Sequence, residues 1–165
     1  MRFDPDRQHR RSIRYRKFDY SRAGFYFVTG CIEGRECLLG EVRDGTVHLS
    51  PDGHTVAYVW EDLPKHYPHV RLDAFVAMPN HIHGVIELQE LDDIRRHPLS
   101  EILRAFKTFS SRRINKRRGT PGAQVWQRNF HDRIVRDQDE LEGIRRYIAE
   151  NPAKWNEDPE NPILG

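Results

Sequence analysis

The segment FVAMPNHIHGVIEL, residues 75–88, carries the strongest structural signal in this sequence. Pro79-Asn80 is typical of a tight turn, and the apolar, β-prone residues on both sides predict two closely joined strands. Side chains alternate between the faces of a strand, so His81 and His83 should share one face while Ile82 points into a core. Two imidazoles about 7 Å apart along a strand can coordinate the same metal ion. A solvated face with two polar residues is the alternative, and an H-x-H motif alone does not separate the two.

A second group of polar residues lies near the C-terminus, in Tyr147-Ile-Ala-Glu-Asn151-Pro152. The residues from Asp139 onwards predict a helix, with Asp139 as the N-cap and Glu142 as its capping-box partner. Pro152 should end the helix by biasing Asn151 out of helical geometry. Tyr147 and Asn151 are four residues apart and share a helix face. Taken singly, Tyr147 indicates an aromatic residue at an interface and Asn151 indicates a helix cap. Together with the H-x-H motif, Tyr147 offers a hydroxyl nucleophile and Asn151 offers a third metal ligand.

The chain resembles the single-tyrosine transposases of the HUH nuclease superfamily, and among these the REP-associated tyrosine transposases. The resemblance rests on four ordered segments between about Tyr15 and Trp155: YFVTGC at 26–31, MPNHIHGVIEL at 78–88, VWQRNFHDRIVR at 125–136 and YIAENP at 147–152. Gly84 departs from the family pattern, in which a larger apolar residue often follows the second histidine. We therefore expect altered packing beside the metal site.

The resemblance implies that Tyr147 attacks single-stranded DNA and becomes joined to a 5′-phosphate, leaving a free 3′-hydroxyl. His81, His83 and Asn151 are then the expected ligands of one divalent ion. Their donor types suit Mn²⁺, whereas Mg²⁺ is the more available ion. The implied partner is DNA with hairpin or palindromic elements. The family includes monomers and dimers that exchange the tyrosine helix, so a homodimer is possible.

The element order predicts an α+β fold, a ferredoxin-like split βαβ with a four-stranded antiparallel sheet and an added C-terminal helix that carries the tyrosine. The expected strands cover residues 25–32, 70–78, 81–88 and 130–135, with a further short strand at 47–49, and the expected helices cover about 51–65 and 98–116. Both strands of the hairpin should lie at the sheet centre. The two histidines should face an uncovered side or the added helix. Phe106 and Phe109, at helical spacing, are expected in the core.

Basic residues are concentrated in two segments, although the formal net charge is only +2. Residues 1–20 form a predicted basic arm, and residues 104–118 carry seven basic residues and no acid. Arginine forks suit bidentate contacts to phosphate. The expected DNA contacts are Arg10, Arg11, Arg14 and Arg16 in the arm, and Lys107, Arg112, Arg113, Lys116, Arg117 and Arg118 in the second segment. A solvated helix face is the alternative for each cluster.

A length of 165 residues predicts one domain, here residues 21–165 after the arm. The sequence has no apolar stretch long enough to span a membrane and no signal-like start, so we expect a cytoplasmic protein with reduced Cys31 and Cys37.

Three functions fit these features. The favoured one is a metal-dependent transposase that cleaves and rejoins single-stranded DNA near hairpins. The second is a non-cleaving, hairpin-binding regulatory module of the same fold. The third is a metal-dependent hydrolase of small phosphates. The combination of Tyr147 with the histidine pair favours the first over the second. The arginine clusters argue against the third, because a small substrate requires no extended basic surface.

Overall fold

A computed structural model of the chain describes residues 22–92 and 96–164. The predicted basic arm at residues 1–20 lies outside them. The strands and helices are β1 (Gly24–Cys31), β2 (Gly40–Arg43), β3 (Thr46–Leu49), α1 (Pro51–His66), β4 (Val70–Ala77), β5 (His81–Leu88), α2 (Leu99–Arg118), β6 (His131–Ile134) and α3 (Gln138–Glu150). Three short 3₁₀ helices cover Glu33–Arg35, Pro152–Glu157 and Pro162–Leu164. Within the described ranges, no helix is long and apolar enough to cross a membrane.

The main sheet has the strand order β4-β5-β1-β6, and every neighbouring pair is antiparallel. This is the predicted ferredoxin-like arrangement, and the α+β fold class is confirmed. The predicted position of the hairpin is wrong in one respect, because only β5 is central while β4 forms an edge. The second central strand is β1, which pairs with β5 on one side and β6 on the other. Strands β2 and β3 form a separate two-stranded hairpin.

The side chains of β5 divide the interior into two apolar clusters. Ile82 and Ile86 join a large cluster that includes Trp60 of α1 and Phe106 of α2. Val85 joins a smaller cluster formed with three residues of α3, Leu141, Ile144 and Ile148. Helices α1 and α2 therefore cover one face of the sheet and α3 covers the other. Since His81 and His83 share the face of Val85, the added helix packs on the histidine side.

The predicted start of α3 is wrong, whereas its predicted end at Asn151 is confirmed. At that end only the expected non-helical geometry of Asn151 is wrong. Asp137, not Asp139, is the N-cap, and its side chain accepts a hydrogen bond from the Glu140 backbone N–H at 2.8 Å. Asn151 keeps helical backbone angles (φ −57°, ψ −44°), and Pro152 begins a 3₁₀ helix. A proline has no N–H to lose at the first position of a new helical segment, so the chain continues in helical form.

Phe109 lies outside the core, contrary to expectation. Phe106 is buried, but Phe109 is 48% exposed and stacks on His66 of α1. The buried residue one turn beyond Phe106 is Ser110, so Phe109 lies at the rim of the α1–α2 contact.

Gly84 faces Trp60, on the opposite face of β5 from the histidines. A Cβ atom at this position would lie 2.4 Å from the nearest Trp60 ring carbon. The expectation that Gly84 alters packing beside the metal site is therefore wrong. Alternation along the strand explains this, because Gly84 shares the face of Ile82 and Ile86.

Gly84→Ala should destabilise the fold by about 1–3 kcal/mol, the usual cost of overpacking. The Trp60 ring is held by Phe75 at 4.8 Å and Phe106 at 5.4 Å between centroids, and cannot withdraw freely. Urea unfolding of both proteins measures the loss. In a Trp60→Leu background the same substitution should cost less, and an equal cost in both backgrounds would contradict this account.

Candidate active site

The two histidines of β5 lie side by side in the interior, under α3. His81 is opposite Cys31 of β1 and His83 is opposite Thr29. Their exposed fractions are 1% and 3%, and their ring centroids are 4.8 Å apart. The structure therefore confirms the shared face. It contradicts the alternative prediction, in which the two histidines lie on a solvated face of the strand.

The Nδ1 atom of each histidine has a partner within the fold. His81 Nδ1 donates to the side-chain oxygen of Asn80 at 2.8 Å, because an amide oxygen can only accept. His83 Nδ1 lies 2.8 Å from the hydroxyl of Thr29. Such contacts orient imidazoles that use Nε2 as the ligand atom. In neutral His81, the Nε2 atom carries the lone pair.

Tyr147 of α3 reaches His83 directly. Its hydroxyl oxygen is 3.4 Å from His83 Nε2, and its ring meets the His83 ring at 5.2 Å and the Phe27 ring at 6.3 Å between centroids. Phe27 in turn stacks on His83 at 5.6 Å. Strands β1 and β5 and helix α3 thus bring the predicted nucleophile and the predicted histidines together within one chain.

Asn151, the third predicted ligand, is buried at the end of the same helix. It is 4% exposed, and its side-chain oxygen makes no hydrogen bond to any residue in the described part of the chain. A buried acceptor without a donor is unfavourable and would be satisfied by a cation. Across residues 22–92 and 96–164, no group of three or more His, Cys, Asp or Glu residues could hold a metal. The two imidazoles therefore fit a divalent ion only with amide or other oxygen ligands, which suits Mn²⁺ or Mg²⁺ better than structural zinc.

The segment after α3 adds a carboxylate that the sequence reasoning missed. Asp158 places a carboxylate oxygen 3.8 Å from His81 Nε2, and the buried Trp155 ring lies 6.1 Å from the His81 ring. The amide nitrogen of Asn80 donates to the backbone oxygen of Glu160 at 2.7 Å. A tryptophan within an acidic C-terminal segment was the available signal that this segment packs against the domain.

Without a bound metal ion, Cys31 is a neutral thiol at neutral pH. Burial raises the pKa of its thiol to about 12, and the negative charge of Glu160 contributes in the same direction. The thiol is therefore protonated at neutral pH in the metal-free protein.

The predicted DNA-contacting residues of α2 divide between two sides of the helix. Lys107, Arg112 and Lys116 line a cavity of about 680 Å³ together with the loop at residues 119–126. On the other side, Arg117 donates to Asp52 at 2.6 Å and to Thr55 at 2.8 Å, which ties α2 to α1.

The other arginines of the prediction have different surroundings. Arg113 lies over the ring of Tyr58, 5.0 Å from its centroid, and Arg118 is exposed at the end of α2. Arg10, Arg11, Arg14 and Arg16 lie outside the described residues.

The chain is similar to several known proteins. A family model described as "Transposase IS200 like" matches residues 54–151. An uncharacterized protein of Haemophilus influenzae is 36% identical to the chain, over 91% of the chain and 92% of that protein. A second protein of that organism, whose name provisionally assigns it to the REP-associated tyrosine transposases, is 28% identical over 85% of the chain and 76% of its own length.

Two solved structures share the fold. One is a REP-associated tyrosine transposase bound to a REP hairpin, with a TM-score of 0.62 and 23% identity over 85% of this chain and 72% of that one. The other is a Deinococcus radiodurans protein described provisionally as a transposase, with a TM-score of 0.52 and 16% identity over 78% and 90% of the two chains.

Proposed function

This chain belongs to the IS200-like transposase family, and on that premise we propose that it cleaves and rejoins single-stranded DNA near hairpin elements, with Tyr147 as the nucleophile. The observation that carries the proposal is the 3.4 Å distance between the Tyr147 hydroxyl and His83 Nε2. It places a phenol beside two buried imidazoles whose Nδ1 atoms are already engaged.

The reaction joins the Tyr147 oxygen to the phosphorus of a DNA phosphodiester. The phenol gives up its proton to solvent as this bond forms, and the bond from phosphorus to the 3′-oxygen breaks. The tyrosine keeps the 5′-phosphate, and the departing 3′-oxygen takes up a proton from solvent. The phosphotyrosine ester conserves the bond for rejoining, whereas direct hydrolysis would lose it. The chemistry therefore supports strand transfer rather than degradation.

The fold orients the phenol before DNA binds. The Tyr147 ring packs edge-on against Phe27 and His83, and α3 is anchored through the apolar cluster beneath it. Correct placement of a reacting group can lower the activation barrier by several kcal/mol. The entropy cost of orienting the phenol is met when the protein folds, before the reaction begins.

His81, His83 and Asn151 are the proposed ligands of one divalent ion, Mg²⁺ or Mn²⁺. When bound, this ion would stabilise the negative charge that develops on the phosphoryl oxygens. The engaged Nδ1 atoms and the unsatisfied Asn151 oxygen support the assignment.

The proposed DNA partner is a single strand with a hairpin. The related solved transposase is bound to a REP hairpin, and the cavity beside α2 presents Lys107, Arg112 and Lys116. We propose that these residues, the exposed Arg118 at the end of α2 and the arm arginines contact phosphates. Because Tyr147 reaches His83 of its own chain, the site requires no exchange of α3 between chains; a homodimer would bring two such sites together.

Tyr147→Phe should abolish both DNA cleavage and the covalent protein–DNA band, since it removes only the attacking oxygen. Folding, metal affinity and hairpin binding should persist. Denaturing gel electrophoresis after incubation with hairpin-bearing single strands and Mn²⁺ measures the adduct, and Tyr58→Phe, at an exposed tyrosine, is the matched control. An adduct in Tyr147→Phe would mean a different nucleophile. Hairpin binding without any adduct in the wild type would favour the non-cleaving module.

Replacement of His81 and His83 by alanine should remove Mn²⁺ binding, because both imidazole ligands are lost. Calorimetric titration of Mn²⁺ into the variant and the wild type measures the change. His69→Ala, at a buried histidine in the turn before β4, controls for the loss of buried volume. Equal Mn²⁺ affinity in the wild type and the double variant would remove the proposed metal site.

Replacement of Arg112, Lys116 and Arg118 by glutamine should weaken hairpin binding and flatten its salt dependence. Each lost phosphate contact lowers the log–log slope by about 0.7 on single strands, or about two units for three contacts. Binding titrations over a range of salt concentrations provide the slope. Arg117→Gln is the control, because its guanidinium is bonded to α1. An unchanged slope in the triple variant would assign the cluster to a solvated surface.

A further inference from the structure

Edge strand β4 carries a bulge at Asp73 and Ala74. Its pairing with β5 runs from Val70 to Leu72 and resumes at Phe75, so that two residues of β4 lie opposite Val85 alone. The Asp73 carboxylate accepts a hydrogen bond from the backbone N–H of Ala74 at 2.8 Å. A β-bulge changes the direction in which side chains leave the strand. Here the bulge and the bond to Ala74 hold the Asp73 carboxylate in one orientation.

Asp73 binds Arg145 of α3 through two parallel hydrogen bonds. Arg145 Nε donates to one carboxylate oxygen at 2.8 Å, and its Nη2 donates to the other at 2.7 Å. Those hydrogen bonds hold the pKa of Asp73 below its ordinary value. A bidentate pair fixes orientation as well as distance. Arg145 precedes Tyr147 by two residues, so the pair acts on the turn of α3 that carries the tyrosine.

Helix α3 has a second polar contact at the opposite edge of the sheet. Arg133 of β6 lies 3.0 Å from Glu140 near the start of the helix. Between these two contacts the helix rests on the apolar cluster of Phe27, Val85 and Ile144. Apolar contacts are not directional and tolerate small rotations of the helix. Directional bonds at the two edges remove that freedom.

We propose that Asp73 and Arg145 are a positioning pair for Tyr147: they fix the rotation and axial position of α3, and thereby the placement of the phenol oxygen beside His83. The inference rests on the proposed role of Tyr147 as the nucleophile and adds two residues on which its alignment depends. Asp73 and Arg145 act through the helix backbone. A displacement of about 1 Å at a reacting group can cost on the order of a hundredfold in rate.

Two conservative variants test the proposal. Asp73→Asn keeps the shape of the side chain and an oxygen for Ala74, but loses the charge. Arg145→Lys keeps the charge and loses the planar fork. Lys154→Gln is the matched control, because it removes an ion pair with Glu150 at the end of α3 without touching β4. All three proteins are used as full chains with Mn²⁺ and a hairpin-bearing single strand.

The first measurement is the single-turnover rate of covalent adduct formation at saturating DNA. Both variants should lose about tenfold or more in this rate, as expected for a misplaced reacting group, while hairpin affinity and Mn²⁺ affinity stay within about twofold of the wild type. Lys154→Gln should react at the wild-type rate. Wild-type rates in folded Asp73→Asn and Arg145→Lys would overturn the proposal.

The second measurement does not depend on activity. In protein labelled with 3-fluorotyrosine, the ¹⁹F resonance that disappears in Tyr147→Phe reports the surroundings of this ring. It should shift or broaden in Asp73→Asn and Arg145→Lys and stay in place in Lys154→Gln; an unmoved resonance would overturn the proposal. If the wild type forms no adduct, the proposed function fails, and the resonance alone decides whether the pair positions Tyr147.

Discussion

Strand β5 is buried on both faces, and this burial fixes the directions of the site residues. Ile82 and Ile86 face the cluster beneath α1 and α2, whereas His81, His83 and Val85 face α3. A shift of one residue in the register would exchange these faces and place both imidazoles against Trp60. The apolar packing on one side thus determines the direction of the polar groups on the other.

Buried imidazoles require partners, and the fold supplies them from neighbouring elements. Thr29 of β1 bonds to His83, and Asn80 of the turn bonds to His81. The amide nitrogen of Asn80 also holds the backbone of Glu160. One turn residue therefore orients a candidate ligand and anchors the segment that brings Asp158 beside it, so the site and the C-terminal segment share a hydrogen-bond network.

Most of the fold was predictable because its elements have strong local patterns. Strand β5 was predicted at its observed bounds, and α1 was predicted to within about a residue, since Ser50 is a good N-cap and the apolar residues repeat at helical spacing. The family and the ferredoxin-like class are confirmed as well. Two of the errors are local. At the start of α3, Asp137 and Asp139 are competing N-cap signals, and Phe109 lies at the rim of a packed face.

Local sequence patterns were sufficient to predict the family, the shared face of His81 and His83, and the position of Tyr147 on a helix. Only the tertiary structure decided which groups meet. The phenol reaches an imidazole 64 residues away, Arg145 binds Asp73 across 72 residues, and Arg117 binds Asp52 of α1 across 65 residues. Local periodicity specifies the face on which a side chain lies. Contacts between distant segments depend on how the helices pack over the sheet, and no short stretch of sequence contains that information.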